Sequence, residues 1–309
     1  MAGVVTSGSF AKALWPGVNK FYQQDYEDWS TEYTEIFDIE SSRKQFEEDV
    51  GVSQFGLAGV KPEGQSIEYD DTEQNFIARY VHKVYAKGFV VTREMVDDDL
   101  YGVISRRQAR SLARSLRLTK ETVHANVLNN GFSATQTMGS DHDGVELFSS
   151  LHPYGPYGGT FANELGTPAD LSEAALEDML ILISQARDAR GLQMQLHGRK
   201  LVVPPQLMFI ASRILDSELR SGTSDNDVNA IKHGNYLPEG FVVNHYLTDT
   251  DAWFLKTNCP DGMKSFNRRG MQFEPDNDFD TENAKFKATE RYSVGWSDPR
   301  GMYASEGSG

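Results

Sequence analysis

The chain has 309 residues, of which 39% are hydrophobic and 24% charged, and its formal net charge is -15. That length and balance suit one large or two medium folded domains and exclude wholesale disorder. The acidic excess argues against a global role in gripping nucleic acid, which needs a basic face to neutralise phosphates. A lone cysteine, Cys259, excludes an internal disulfide and a multi-cysteine zinc site, and with no apolar run of about 20 residues neither a membrane span nor a standard signal peptide is expected.

Residues 1–42 read as a terminal arm, punctuated early by Trp15-Pro16-Gly17. From Tyr22 to Glu40 aromatic residues (Tyr26, Trp29, Tyr33, Phe37) alternate with acids. So short a segment cannot bury its own rings; they need a surface on the rest of the chain or on a neighbour. Residues 43–92 read as a long two-stranded excursion. The outbound limb passes Phe46, Val50, Val52 and Phe55, and the tip carries Gly56, Gly59, Pro62 and Gly64, a density that marks a turn. The return limb, Asn75 to Val91, alternates with period two and predicts one continuous strand with Phe76, Ala78, Tyr80, His82, Val84 and Ala86 on one face. A lone hairpin is marginally stable in water, so this one calls for a partner.

Residues 94–128 predict a single helix, with Leu100, Val103, Ile104, Leu112, Leu116, Val123 and Val127 mostly at three- and four-residue steps. Asp97, Asp98 and Asp99 suit the helix start, Arg106, Arg107, Arg110, Arg114, Arg117 and Lys120 follow, and Asn129-Asn130-Gly131 supplies a stop. Residues 131–170 read as loop and short strand. A second helix is expected over Leu171–Arg190, capped by Asp170 or Ser172 and ended by Gly191, then a strand at Lys200–Val203 and a third helix over Gln206–Leu219 with Leu207, Phe209, Ile210, Ile214 and Leu215 inward. Residues 221–235 read as a polar loop, and Phe241–Leu247 and Ala252–Leu255 as strands. The fold class is α+β, with one extended half.

Searches for chemistry fail at named positions. The seven histidines (His82, His124, His142, His152, His197, His233, His245) show no helical metal-ligand spacing. The run Asp276, Asp278, Asp280 lacks the Gly and Glu of an EF-hand loop, having Thr281 and Lys287 there. Asp141-His142-Asp143-Gly144 reads as a solvated turn. Gly51 to Gly56 misses the G-x-S-x-G elbow by one residue, and there is no phosphate-binding glycine loop. Catalytic residues, cofactors and bound metals are therefore expected to be none. The helix arginines could meet DNA phosphates or an acidic arm; the acidic excess favours pairing between subunits.

Three stretches carry a resemblance. Lys200–Pro205 (KLVVPP) leads into a helix, Tyr246–Leu255 (YLTDTDAWFL) looks like two strands joined by an acidic turn, and Ala288–Tyr303 (ATERYSVGWSDPRGMY) looks like a final strand. Together with the element order they resemble the major capsid proteins of tailed bacteriophages, with the HK97-type fold and a Mu-like flavour. The resemblance implies an N-terminal arm (1–42), an extended hairpin or E-loop (43–92), a spine helix and peripheral domain (93–165 with 275–309) and an axial domain (166–274), with residues 221–235 near a capsomere centre. It implies a homo-oligomeric shell of pentamers and hexamers in the virion, assembled in the host cytoplasm and enclosing DNA without sequence-specific binding. A portal and a decoration protein are further expected partners, and a separate scaffolding protein too, since no long helical segment precedes the arm. No membrane is involved, and no crosslinking partner for Lys61 is evident. Contacts between subunits are expected at Trp15, Tyr26, Trp29, Phe55, Lys61, Tyr80, Arg106, Arg110, Arg114, Asp225 and Asp227. An encapsulin-like nanocompartment shell is the alternative on the same fold, and a cytoplasmic enzyme without a recognisable motif is the alternative of another class.

Overall fold

The computed structural model describes residues 30–92, 94, 101–139, 141–155, 158–219, 227–277 and 283–308, with backbone alone for 101–106. Two four-stranded sheets organise the chain, beside a short antiparallel pair, β5 (His152–Pro153) and β6 (Thr160–Phe161). The long sheet contains β1 (Asp38–Ser41), β4 (Lys83–Val91), β10 (Met263–Asn277) and β11 (Ala284–Trp296), in the order β1-β10-β11-β4. The compact sheet contains β7 (Gly198–Val203), β8 (Phe241–Val243), β9 (Trp253–Thr257) and β12 (Met302–Ser305), in the order β12-β9-β7-β8.

The compact sheet is buried on both faces. Leu201, Val203, Trp253 and Leu255 point into one core with Leu176, Met179 and Ile183 of helix α2 (Glu173–Ser184). Val202 and Phe254 point to the other face, against Ile36, Phe37, Leu128, Phe148 and Trp296. A strand packed on both sides reads as an unbroken apolar run, which is why Leu201–Val203 stands out in the sequence. The described end of the arm is thus part of the chain's own core: Tyr33, Ile36 and Phe37 are buried, and β1 pairs in parallel with β10.

Helix α1 (Tyr101–Asn129) lies on the long sheet. Ala109, Leu112, Ala113 and Leu116 meet Val91, Phe273, Phe286 and Ala288, the stripe that the three- and four-residue steps predict. It stops where the sequence expects, with the Gly131 amide donating to the Leu128 carbonyl. Farther along, Gly262 and Gly301 abut backbone to backbone, so that a Cβ on either would strike the other. This close approach lets the chain leave the long sheet at Trp296 and enter the compact sheet at Met302.

Several expectations change. The return limb is two strands: β3 (Gln74–Val81) pairs with β2 (Phe46–Val52), while β4 pairs with β11. Inward residues run Ala78, Tyr80, His82 and then switch phase to Tyr85, Phe89, Val91, because His82 belongs to neither ladder; Ser42 and Ser293 hold its ring at 2.9 Å on each side. Helix α2 ends at Ser184, not Arg190, since Asp188 Oδ1 captures the amides of Arg190 and Leu192 in a turn that competes with the helix. The third helix is a 3-10 turn at Pro205–Leu207 followed by α3 (Met208–Asp216), with Asn229 accepting at the start of α4 (Ala230–His233) inside the expected loop. Phe209 is 69% exposed, because Leu207 and Ala211 face inward and leave it on the far side of the turn. The strands flanking Tyr246–Leu255 are not neighbours, as β7 lies between β8 and β9, and the expected final strand is split into β11 and β12 by a 3-10 turn, Pro299–Gly301.

Candidate assembly surfaces

The β2–β3 ladder closes where Ser53 and Glu73 exchange two bonds, its amide to the Glu73 carbonyl at 2.9 Å and the Glu73 amide to its hydroxyl at 2.8 Å. Residues 54–73 beyond it form no strand and are exposed throughout. Phe55 (62%), Leu57 (85%), Val60 (97%) and Tyr69 (85%) offer apolar surface to solvent on this one segment. Scattered exposed apolar residues are ordinary, but contiguous ones mark an interaction surface. Glycine and proline density identifies the turn in the sequence, and the apolar residues between them are what the turn exposes.

The tip is tethered to its own chain through the elbow after α2. Arg190 Nη1 lies 2.5 Å from Asp70 Oδ2, Arg190 Nη2 donates to the Asp71 carbonyl, and the Gly56 amide donates to Asp70 Oδ2 at 2.7 Å. The Gly56 amide first, and then Arg190, hold the Asp70 carboxyl below its usual range. At its base the hairpin is tied to the long sheet: Lys264 bridges Asp49 of β2 at 2.8 Å and Asp261 at 2.7 Å.

On α1, Arg107, Arg110 and Arg114 fall on the solvent side, a cationic stripe in an acidic chain. Its inner side carries a buried ion pair, Lys120 Nζ to Glu290 Oε2 at 3.5 Å, between the rings of Tyr33 and Tyr292. Neither Glu290 oxygen has a hydrogen bond in this structure. His124 is buried one turn on, its Nδ1–H donating to the Lys120 carbonyl and its Nε2 accepting from Ser265.

The segment 141–144 is not a solvated turn. The side chains of His142 and Asp143 are each 2% exposed and that of His152 is 0% exposed. Asp143 Oδ1 takes His142 Nδ1 at 2.6 Å and Oδ2 takes His152 Nδ1 at 2.7 Å. The sequence hides this because His152 reaches Asp143 through the fold of the loop, at no recognisable spacing. A cavity of about 410 Å³ lies beside the group, bounded by β2, Phe161 and Arg300. Among the described residues no cluster of three or more His, Cys, Asp or Glu is arranged to hold a metal ion.

Of the expected contact residues, Phe55 and Lys61 are exposed on the tip, Arg110 and Arg114 on α1, and Asp227 at the edge of the polar loop. Tyr80 is corrected: at 1% exposure it packs edge-on against Phe266 and bonds Ser297, leaving nothing for a neighbour. Trp15, Tyr26, Trp29 and Asp225 lie outside the described residues, as does the Arg106 side chain.

An apolar, projecting hairpin, one long helix on a long sheet, and a doubly packed compact sheet define an α+β shell subunit of the HK97 type. The chain belongs to the phage capsid protein family, whose model matches residues 77–305; the outbound limb and tip of the hairpin lie before that span. The fold is similar to a capsid chain of a native GTA particle (12% identity, TM-score 0.54, covering 89% of this chain and 89% of that one). It is similar too to a chain of Mycobacterium phage Che8 (14% identity, TM-score 0.51, 89% and 92% covered). A procapsid chain of bacteriophage JBD30 shares it at 13% identity and TM-score 0.50, with 95% of this chain and 75% of that one covered. No curated protein matches the chain by sequence. The protein is a structural capsid subunit.

Proposed function

We propose that this chain is the major subunit of a closed icosahedral-type shell around double-stranded DNA, of the Mu-like branch, and that its hairpin lies over an adjacent copy. The observation that carries the reading is the exposed apolar tip, Phe55 to Tyr69, which its own chain leaves uncovered. A shell supplies the missing surface in every copy, because each subunit contacts several others. The net charge of -15 suits a container that encloses DNA without adhering to it. The cationic stripe on α1 pairs with acidic surface of a neighbour rather than with phosphate, and the polar loop at 221–235 faces a capsomere centre.

In this reading residues 1–42 are the arm, 43–92 the E-loop, 93–165 with 275–309 the peripheral domain and 166–274 the axial domain. Scaffolding, portal and decoration proteins act in trans, assembly takes place in the bacterial cytoplasm, and the subunit performs no catalysis. Electron microscopy of the purified chain tests the proposal: shells, tubes or capsomere rings are expected. Removing Phe55–Asp70 is expected to abolish them while the chain stays folded by circular dichroism. Intact shells from that deletion would remove the hairpin from the mechanism, and a strictly monomeric wild type at all salt and protein concentrations would overturn the proposal itself.

A further inference from the structure

We infer that His142 is held as an imidazolium, forming a proton-loaded latch at the base of the hairpin that loosens as pH rises. Donors and acceptors around each ring fix its protonation state. A neutral imidazole has one N–H and one lone pair, so it needs one acceptor and one donor; an imidazolium needs two acceptors. His82 and His124 fit the neutral form. His82 lies between Ser42, whose hydroxyl donates to Glu47 at 2.7 Å and so accepts from Nε2, and Ser293, whose hydroxyl donates to Nδ1. His124 lies between the Lys120 carbonyl and the Ser265 hydroxyl, one acceptor and one available donor. His142 differs from these two: Nδ1 faces the Asp143 carboxylate at 2.6 Å and Nε2 faces the Ser297 carbonyl at 3.1 Å, a setting that His152 shares between Asp143 Oδ2 at 2.7 Å and the Leu147 carbonyl at 3.2 Å, away from the hairpin. Neither oxygen facing His142 carries a proton to give, so both its ring nitrogens donate.

The surroundings accommodate the charge. Asp143 lies against the ring, and Asp298 adds a negative charge while itself pairing with Arg300. From the hairpin side, Asp49 is neutralised by Lys264, and His152 shares the second Asp143 oxygen. Across the cavity stand Asp188 and Asp261. Burial opposes the imidazolium, but the hydrogen bond and charge of Asp143 outweigh it and raise the His142 pKa. Burial likewise opposes the Asp143 carboxylate, and the hydrogen bonds from His142 and His152 hold its pKa far below the ordinary range.

The latch reaches both hairpin strands. The Ile77 amide of β3 donates to the Asp141 carbonyl at 2.9 Å, next to His142 in the chain. His142 donates to the carbonyl of Ser297, whose hydroxyl donates to Asp49 of β2 at 2.6 Å and so accepts from Tyr80 of β3 at 2.7 Å. Loss of one His142 proton sets a lone pair against a carboxylate or a carbonyl oxygen and breaks this line. A raised histidine pKa contributes stability that is fully present below about 6.5 and is lost as pH rises through the folded value. Each unit of upward shift is worth about tenfold in the latch equilibrium. The latch is a property of the single chain and stands whether or not the hairpin covers a neighbour.

Imidazole nitrogen NMR on the full-length chain labelled with 15N-histidine, in solution or in sedimented shells, tests this directly. His142, assigned by its absence in His142→Gln, is expected to show two protonated nitrogens at pH 7, where an ordinary imidazole of pKa about 6.5 is mostly neutral. Hydrogen exchange of residues 74–81 and 141–145, corrected for intrinsic rates, is expected to lose protection as pH rises through that midpoint. Asp143→Asn is expected to lower the midpoint. A neutral His142 at pH 7 in the wild type overturns the inference, and that measurement holds even where a variant fails to fold.

Discussion

The compact sheet and the hairpin are built from the same residue types and meet opposite fates. Leu201, Val202 and Val203 of β7 are all 0% exposed, enclosed by α2 on one side and by the residues around Phe37 and Phe148 on the other. Val50 and Val52 of β2 are 49% and 61% exposed, and Val60 at the tip is 97% exposed. Burying an aliphatic side chain fully is worth roughly 1.5–3 kcal/mol. The chain has gained that stabilisation in the compact sheet and left it unrealised in the hairpin. With the hairpin over an adjacent copy, as proposed, the difference separates the part that folds alone from the part completed by assembly.

Substitutions sharpen this contrast, beginning with the largest expected effects. Trp253→Ala removes a fully buried ring whose Nε1 donates to the Ala169 carbonyl at 3.0 Å, and should cost about 3–5 kcal/mol, read as a large fall in melting temperature. Lys120→Met leaves Glu290 as a buried charge without a partner, and a loss of about 3–5 kcal/mol is expected. Lys120→Met combined with Glu290→Leu should recover most of that loss, because the pair meets at 3.5 Å without a hydrogen bond to offset its desolvation. A double variant no more stable than the single one would show that the pair is a net stabiliser of the α1 contact.

Acid should weaken the same contact by a smaller amount. Burial presses His124 down to about 4, outweighing the hydrogen bond to the Lys120 carbonyl that pulls it up. A depressed histidine contributes stability that is present above about 6.5 and is lost as pH falls towards the folded value, here ~3 kcal/mol in all. Urea unfolding at pH 7, 5.5 and 4 should show the decline, and His124→Gln should flatten it. This slope is opposite in sign to that of His142.

At the hairpin the expected effects on stability are small and those on assembly large. Arg190→Ala should leave the melting temperature nearly unchanged, since the Asp70 contact is at the surface. It should speed hydrogen exchange in residues 54–73 and alter the yield of shells. Val60→Asp should change stability by no more than about 0.5 kcal/mol, as surface substitutions usually do, yet reduce assembly seen by light scattering. A Val60→Asp chain that melts far below wild type would break the contrast, because the tip would then be covered in the single chain.

How much of this was legible in the sequence depended on the range of the signal. Helix α1, its arginine run and its stop follow from local periodicity and a glycine, and the strand at Lys200–Val203 from an unbroken apolar run. The reset at His82 was not legible, since the period-two pattern cannot say that a strand changes partners between β2 and β11. The exposure of Phe209 was hidden because the helix began as a 3-10 turn and shifted the inward face. The Asp143 cluster joins residues that share no motif, and the sequence runs the helix on to Arg190 because nothing nearby announces the turn made by Asp188.

Composition, periodicity and the order of elements determined the α+β class and the extended hairpin, because these rest on interactions between residues near in sequence. Only the tertiary structure decided which apolar residues the chain covers itself, which strands are neighbours, and which histidines face acceptors alone. Those are outcomes of contacts between distant segments, where burial, sheet order and the donor–acceptor balance are set by the whole fold.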